Sequence, residues 1–157
     1  MDDALLAARG IMTGVTPLNT DCGRLCRAAC CLPDEEGKGG MLLFPGEEEL
    51  YSALPEGWHM ENDPLGTLLI CSGTCEREMR PLSCMLFPLW IFPDEKDLIR
   101  PDPRGRQVCP LARRSLQALS PAFVSAAREA AEILCASGTH RQFIKKIDRV
   151  LAESFYI

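Results

Sequence analysis

Cysteines are the residues of this chain with the most distinctive chemistry. The sequence of 157 residues has nine of them, and four fall in the segment CGRLCRAACC at positions 22 to 31: Cys22, Cys26, Cys30 and Cys31. Cysteine sulfur binds zinc, holds iron-sulfur clusters, forms disulfides and acts as a nucleophile. The spacing of these four residues therefore limits what the segment can do.

A continuous helix over this segment would not bring its thiols to one metal ion. Cys22, Cys26 and Cys30 would share one side of the helix, but Cys22 and Cys30 would lie roughly 12 Å apart along the axis at about 1.5 Å per residue. Two sulfurs on one zinc ion, each about 2.3 Å from the ion, lie within about 4 Å of each other. We therefore expect either that the helix breaks here or that more than one metal ion is bound.

Four further cysteines follow in an irregular part of the chain: Cys71, Cys75, Cys84 and Cys109. Cys30 and Cys31 are adjacent, so their side chains should point apart and serve two neighbouring sites or one polynuclear cluster. Cys22 and Cys26 are one helical turn apart and can share an ion. Eight thiols suit two zinc sites with four sulfur ligands each, or an iron-sulfur cluster with thiols to spare.

The cellular compartment favours metal ligation over disulfides. The N-terminal sequence MDDALLAARGIM has acidic residues where a secretory signal has basic ones. No stretch approaches the ~18 apolar residues of a membrane helix. We therefore expect a cytoplasmic protein, whose thiols stay reduced, and an odd number of cysteines also fits poorly with complete disulfide pairing. Reduced redox-sensing or catalytic thiols are the third alternative.

Clustered thiolates repel one another unless a cation offsets their charge. Arg77 and Arg80 lie between Cys75 and Cys84 and are placed to donate hydrogen bonds to a metal site from its second sphere. A surface salt bridge with a neighbouring glutamate is the alternative for Arg80. Cys135 has apolar neighbours in a predicted helix, and we expect it to be a small buried hydrophobic residue.

Composition indicates one ordinary globular domain over residues 1 to 157. The hydrophobic fraction is 46%, the charged fraction is 25% and the net charge is -5. This net charge argues against non-specific nucleic-acid binding, which needs an excess of Lys and Arg. The expected partners are therefore metal ions and a protein partner, with neither nucleic acid nor membrane.

Irregular segments and helices must together position the thiols. Prolines interrupt residues 55 to 109, which leaves room only for short strands such as TLLIC and LWIF. Helices are predicted at residues 1 to 12, at 46 to 54 with Glu47 to Glu49 in the first turn, at 121 to 137 behind the N-cap Ser120, and at the C-terminus behind the cap Thr139.

The predicted fold class is therefore mainly α. We expect an irregular, metal-bound, cysteine-rich part with short strands at residues 20 to 111, packed on C-terminal helices at residues 112 to 157. An irregular segment of this length is hard to keep compact without a cross-link, and a bound metal would supply one.

These motifs together resemble the YkgJ-like cysteine-cluster family, which is described as a zinc- or iron-chelating domain. The similarity covers about residues 20 to 111 and comprises CGRLCRAACC, RPLSCMLFP at 80 to 88 and CPL at 109 to 111. It implies that Arg80 and Pro81 shape the site, whereas Met85 stands where the family pattern has an arginine. The metal ligands that it implies are Cys22, Cys26, Cys30, Cys31, Cys71, Cys75, Cys84 and Cys109.

The resemblance also implies an alternative function, because some longer relatives are protein lysine methylases. The chain itself has few conventional catalytic groups, and His59 and His140 are its two imidazoles. We expect His59 in a loop, with a metal ligand as the alternative, and His140 at the surface or in a helix cap. The sequence therefore favours a protein that binds zinc, or iron or an iron-sulfur cluster, over an enzyme. The alternative is an iron-sulfur or zinc-dependent protein-modifying enzyme.

Overall fold

The fold combines helices with two small sheets. The computed structural model describes residues 1–32, 39–73 and 75–155. Of these residues, 52% are helical when α-helices and 3-10 turns are counted together, and 12% lie in strands. The prediction of a mainly α protein is therefore wrong, because the strands form two antiparallel sheets and give an α+β fold.

The described residues form five α-helices and five strands, joined by 3-10 turns. The α-helices are α1 Asp3–Thr13, α2 Gly23–Cys26, α3 Leu82–Leu86, α4 Pro121–Ala136 and α5 Gly138–Phe155. The strands are β1 Met41–Leu42, β2 His59–Asp63, β3 Gly66–Ile70, β4 Leu89–Ile91 and β5 Ile99–Pro101. The 3-10 turns are Ala29–Cys31, Glu47–Tyr51, Arg77–Met79, Pro103–Gln107, Pro110–Arg113 and Leu116–Ala118.

The first sheet has the strand order β1-β3-β2. β2 and β3 form a hairpin in which His59 pairs with Ile70 and Asp63 with Gly66. β4 pairs with β5 in the second sheet. Sequence analysis predicted a loop for His59 in the segment GWHMEND. The structure places it in β2, which is exposed along most of its length and is held by its hydrogen bonds to β3.

The main apolar core forms where α1 crosses α4. Asp2 caps α1 by accepting a hydrogen bond from the Leu5 backbone N–H at 2.9 Å. Leu5 and Met12 are completely buried on one face of α1, as Phe123 is on α4. The helix predicted at residues 1 to 12 is thereby confirmed within a residue or two.

The proline-rich part of the chain contributes to the same core. Leu82 and Leu86 of α3, together with Phe92 and Ile99, have no exposed surface, and Trp90 of β4 has 1%. Burial of this size stabilises the segment by ~1.5–3 kcal/mol per large side chain. Apolar contacts therefore keep much of residues 81 to 111 compact, independently of the cross-link expected from the sequence.

The junction of the last two helices differs from its prediction. α4 ends at Ala136 and α5 begins at Gly138, so Thr139 lies inside α5 rather than capping it. Ser120 precedes α4 but makes no side-chain cap hydrogen bond. His140 is completely buried rather than exposed, since the start of α1 packs over it and its Nε2 lies 2.9 Å from Asp2 Oδ1.

Across the described part of the chain, no helix has both the length and the apolar character needed to cross a membrane.

Candidate metal centre

Eight of the nine cysteines line a single cavity of about 590 Å³, which we call the thiol cavity. They are Cys22, Cys26, Cys30, Cys31, Cys71, Cys75, Cys84 and Cys109. These residues come from four separate stretches of chain, and every cysteine has a free thiol. The structure therefore brings together all eight residues that the sequence singled out.

The first cysteine segment is not one helix. α2 ends at Cys26, and the next two residues, Arg27 and Ala28, adopt left-handed backbone with φ of 53° and 54°. The Ala28 N–H donates to the Gly23 carbonyl at 2.9 Å, which closes the helix end. Of the two expectations for this segment, the helix break is the one observed.

After this break, a 3-10 turn brings Cys30 and Cys31 closer than their adjacency suggested. Their Sγ atoms lie 3.9 Å apart, a spacing that two sulfurs on one zinc ion would have. A hydrogen bond with Cys30 lowers the pKa of Cys31 to about 6. The same interaction raises the pKa of Cys30.

The second pair of cysteines follows β3. Cys71 and Cys75 rest against a small apolar cluster that includes Tyr51 and Trp58. Burial raises the pKa of Cys75, while a hydrogen bond and Coulomb attraction from Arg80 act in the opposite direction. The strand, the cluster and Arg80 together hold this pair at the cavity wall.

Cys84 on α3 and Cys109 complete the wall. Burial raises the pKa of Cys84 well above its ordinary value, and the charges of Cys31, Cys75 and Cys71 add to the effect. Burial also raises the pKa of Cys22, with further contributions from Asp21, Cys109 and Cys26. These mutual charge effects connect all eight thiols into one group.

Arg80 lies where the sequence suggested, with its guanidinium among the thiols and hydrogen bonded to Cys75. Arg77 also lines the cavity, but its guanidinium donates to the carbonyl oxygens of Thr13, at 3.0 Å, and Val15. Arg80 is thus the arginine that acts on the thiols, whereas Arg77 ties the segment to the end of α1.

Cys135 and His59 lie apart from the thiol cavity, and the two tryptophans differ in this respect. Cys135 is partly exposed on α4 rather than fully buried. His59 pairs with Glu61 on β2, where both side chains are exposed. Trp58 lines the cavity, but Trp90 lies in the core with the Arg104 guanidinium 4.5 Å from its ring centroid.

The thiols line one cavity, but they do not form a closed coordination sphere. Within residues 1–32, 39–73 and 75–155, no three or more His, Cys, Asp or Glu side chains are arranged so that they could hold a metal ion. The cavity therefore has the donor atoms of a sulfur-rich metal site without the compact geometry of a closed tetrahedral one.

Sequence analysis missed Arg9 and Glu47. Glu47 was assigned with Glu48 and Glu49 to a favourable interaction with a helix dipole, but its side chain is completely buried and paired with Arg9 of α1. Burial raises the pKa of Glu47, and its hydrogen bonds and Arg9 oppose that effect. No local signal separates Glu47 from its two acidic neighbours, because its partner lies 38 residues away.

No model of a protein family matches this sequence, and no similar protein was found among curated proteins or solved structures. The resemblance to the YkgJ-like family therefore stays a prediction.

Proposed function

We propose that this protein binds metal ions, zinc or iron, through the thiolates that line the thiol cavity. The observation that carries the proposal is the convergence of eight cysteines from four segments on one cavity, while Cys135 lies elsewhere. Unconnected structural cysteines would be distributed through the core, because a free thiol packs like a small hydrophobic residue.

The electrostatics of the cavity favour a cationic ligand. Burial and neighbouring thiols raise the pKa values of Cys22, Cys75 and Cys84, so each added thiolate is costly beside the others. Arg80 supplies one positive charge against eight thiols. A soft divalent cation would offset the remaining repulsion, because it binds thiolate directly.

The donor set fits such an ion, although the arrangement described above is not closed. Thiolate sulfur is the preferred ligand of zinc and of iron-sulfur clusters. Cys30 and Cys31 already have the sulfur spacing of two ligands on one ion. The eight cysteines would hold the metal, Arg80 would donate hydrogen bonds to their sulfurs, and the metal would join the four segments.

The proposal is tested by metal analysis of protein purified without oxygen. We expect about two zinc equivalents in a colourless protein, or iron and sulfide in a brown one. Cys84→Ser should lose at least half of the bound metal. Cys135→Ser is the matched control and should keep all of it.

Two outcomes would contradict metal binding at this cavity. One is wild-type protein that stays free of zinc and iron even after reconstitution under reducing conditions. The other is an equal metal content in the two serine variants, because Cys84 and Cys135 differ in whether they line the thiol cavity.

The size of the cavity favours a second candidate, the zinc-dependent or iron-sulfur protein-modifying enzyme. Its volume lies within the range of small-molecule sites, and Trp58, Leu69 and Ile70 give it an apolar side. A substrate group beside the metal would use this space. Iron-loaded protein, or protein in which cobalt replaces zinc, whose visible spectrum shifts on adding a small exogenous ligand would support this candidate, whereas an unresponsive spectrum would favour closed coordination.

A further inference from the structure

The segment that carries Arg80 and leads into Cys84 is held by charged side chains from distant parts of the chain. Arg9 of α1 forms an ion pair with Glu47; the Glu47 side chain has no exposed surface and that of Arg9 has 12%. The Arg9 guanidinium also donates to the backbone carbonyl of Arg80 at 2.9 Å and to that of Glu78 at 3.2 Å. One guanidinium therefore joins the buried carboxylate to two backbone positions of this segment.

Glu47 makes a second connection at the start of α3. Its Oε1 accepts a hydrogen bond from the Leu82 backbone N–H at 2.7 Å, and its Oε2 accepts one from Phe44 N–H at 3.1 Å. Leu82 is the first residue of α3, and Cys84 lies two residues further along. The carboxylate thus fixes the beginning of the helix that presents Cys84.

Stability alone is a poor reason for such a pair. Burying two charges is costly, and replacing a buried ion pair with apolar residues often leaves stability unchanged or improves it. A buried pair does fix geometry, because each carboxylate oxygen and each guanidinium N–H needs a hydrogen-bond partner at a defined position. Here Arg9 and Glu47 find these partners in the backbone of Glu78, Arg80 and Leu82.

We propose that Arg9 and Glu47 are positioning residues of the thiol cavity. They hold the backbone of residues 78 to 82 so that the Arg80 guanidinium and the Cys84 thiol face the other cysteines. The purpose of this arrangement rests on the proposed metal-binding function. The arrangement itself can be tested in protein without metal.

The substitution Arg9→Lys separates positioning from simple charge pairing. Lysine keeps a positive charge opposite Glu47, but its ammonium group lacks the planar fork that reaches the carboxylate and two carbonyls together. Arg128→Lys is the matched control, because Arg128 pairs with Asp97 on the exposed face of α4 and both side chains are about half exposed.

The readout is the alkylation rate of individual thiols in reduced, metal-free protein, followed by mass spectrometry. Arg9→Lys should speed alkylation of Cys84 about tenfold, which corresponds to ~1.4 kcal/mol less free energy for local opening. Cys135 should keep its wild-type rate in this variant. Arg128→Lys should leave the rates of both thiols unchanged.

Two results would overturn the positioning role. An unchanged rate at Cys84 in Arg9→Lys would show that the fork does not hold the segment. Equal acceleration of Cys84 and Cys135 would show general loosening of the fold. If Arg9→Lys does not fold, Glu47→Gln is the second variant, with the same local acceleration expected and the same two results against it.

Zinc loading separates this inference from the proposed function. Arg9→Lys should bind fewer zinc equivalents than wild type, and Arg128→Lys the same number. Wild-type protein that binds no zinc or iron would contradict the proposed function, and the alkylation rates of the metal-free protein would still decide whether Arg9 and Glu47 position Cys84.

Discussion

The face of α4 that packs on α1 and the wall of the thiol cavity differ in what their side chains contact. On α4, Phe123, Ala127 and Leu134 have no exposed surface and touch other apolar groups of the same chain. Around the cavity, only Cys109 among the eight thiols is buried, six are partly buried and Cys30 is exposed. The α4 face is complete within the chain, whereas the cavity wall has polar atoms that face open space.

The backbone shows the same contrast. α1, α4 and α5 are regular helices of 11, 16 and 18 residues. In the described part of the chain, the two non-glycine residues with positive φ are Arg27 and Ala28, both between cysteines of the cavity wall. Strained backbone of this kind is characteristic of binding sites, where the surrounding contacts hold it in place. The α4 face therefore provides stability, and the cavity wall provides donor atoms.

The largest effect should come from the apolar region. Phe123→Ala removes a completely buried ring and should lower the free energy of unfolding by ~3–5 kcal/mol. Because the same core includes Leu82, Trp90 and Ile99, the helical and proline-rich parts should unfold together. Denaturant unfolding followed by far-UV circular dichroism and by tryptophan fluorescence checks this. Separate transitions for the two signals would contradict this expectation, since they would show two independent cores.

Gly105 lies where apolar packing supports the cavity wall, and a substitution there tests this support. A Cβ atom there would lie 2.8 Å from Phe87 Cζ and 3.0 Å from Ala112 Cβ, and the Gly105 carbonyl accepts from the Cys109 N–H at 2.8 Å. Gly105→Ala should therefore lower the free energy of unfolding by ~1–3 kcal/mol.

Gly10→Ala is the matched control for this substitution. Gly10 lies on the exposed face of α1 with open space around its Cα, so alanine should raise the free energy of unfolding by ~0.5–1 kcal/mol. Both variants are measured by thermal and denaturant unfolding. Equal effects of the two alanines would show that the contacts with Phe87 and Ala112 relax without cost.

The smallest effect should come from the strained turn of the cavity wall. Ala28→Gly relieves a left-handed residue and should raise the free energy of unfolding by ~0.5–1 kcal/mol, because glycine adopts this conformation without a clash. Ala7→Gly makes the same change in the middle of α1 and should lower it by about 1 kcal/mol. Calorimetry of the two variants measures whether each substitution raises or lowers the free energy of unfolding. A loss of stability in both would indicate that residue 28 is not left-handed in solution.

Several features of the fold could be predicted locally. The helix at α1 and the two C-terminal helices follow from apolar residues at helical spacing, and β1, β3 and β4 follow from short apolar runs between turns. β2 could not be predicted, because HMEND is polar and becomes a strand only through its ladder with β3. The α+β class was missed for the same reason, since pairing between strands is not a property of either strand alone.

The candidate site divides in the same way. Its eight thiols were identified by residue type and spacing, and the conflict between a continuous helix and a single ion left two alternatives, a helix break or more than one ion; the helix does end at Cys26. The spacing of Cys30 and Cys31 was misjudged, because a 3-10 turn directs adjacent side chains differently from an α-helix or a strand.

Residue types and local spacing identified the eight thiols, the positions of the long helices and the conflict between an unbroken helix at the first cysteine segment and a single ion. The folded chain shows that the eight thiols line one cavity, that His140 is buried under Asp2, and that Arg9 and Glu47 hydrogen bond to the backbone of Glu78, Arg80 and Leu82. These two groups of features differ in how far apart along the sequence the interacting residues lie. Helix periodicity and residue chemistry act over a few positions, whereas convergence and buried pairing depend on contacts between residues tens of positions apart.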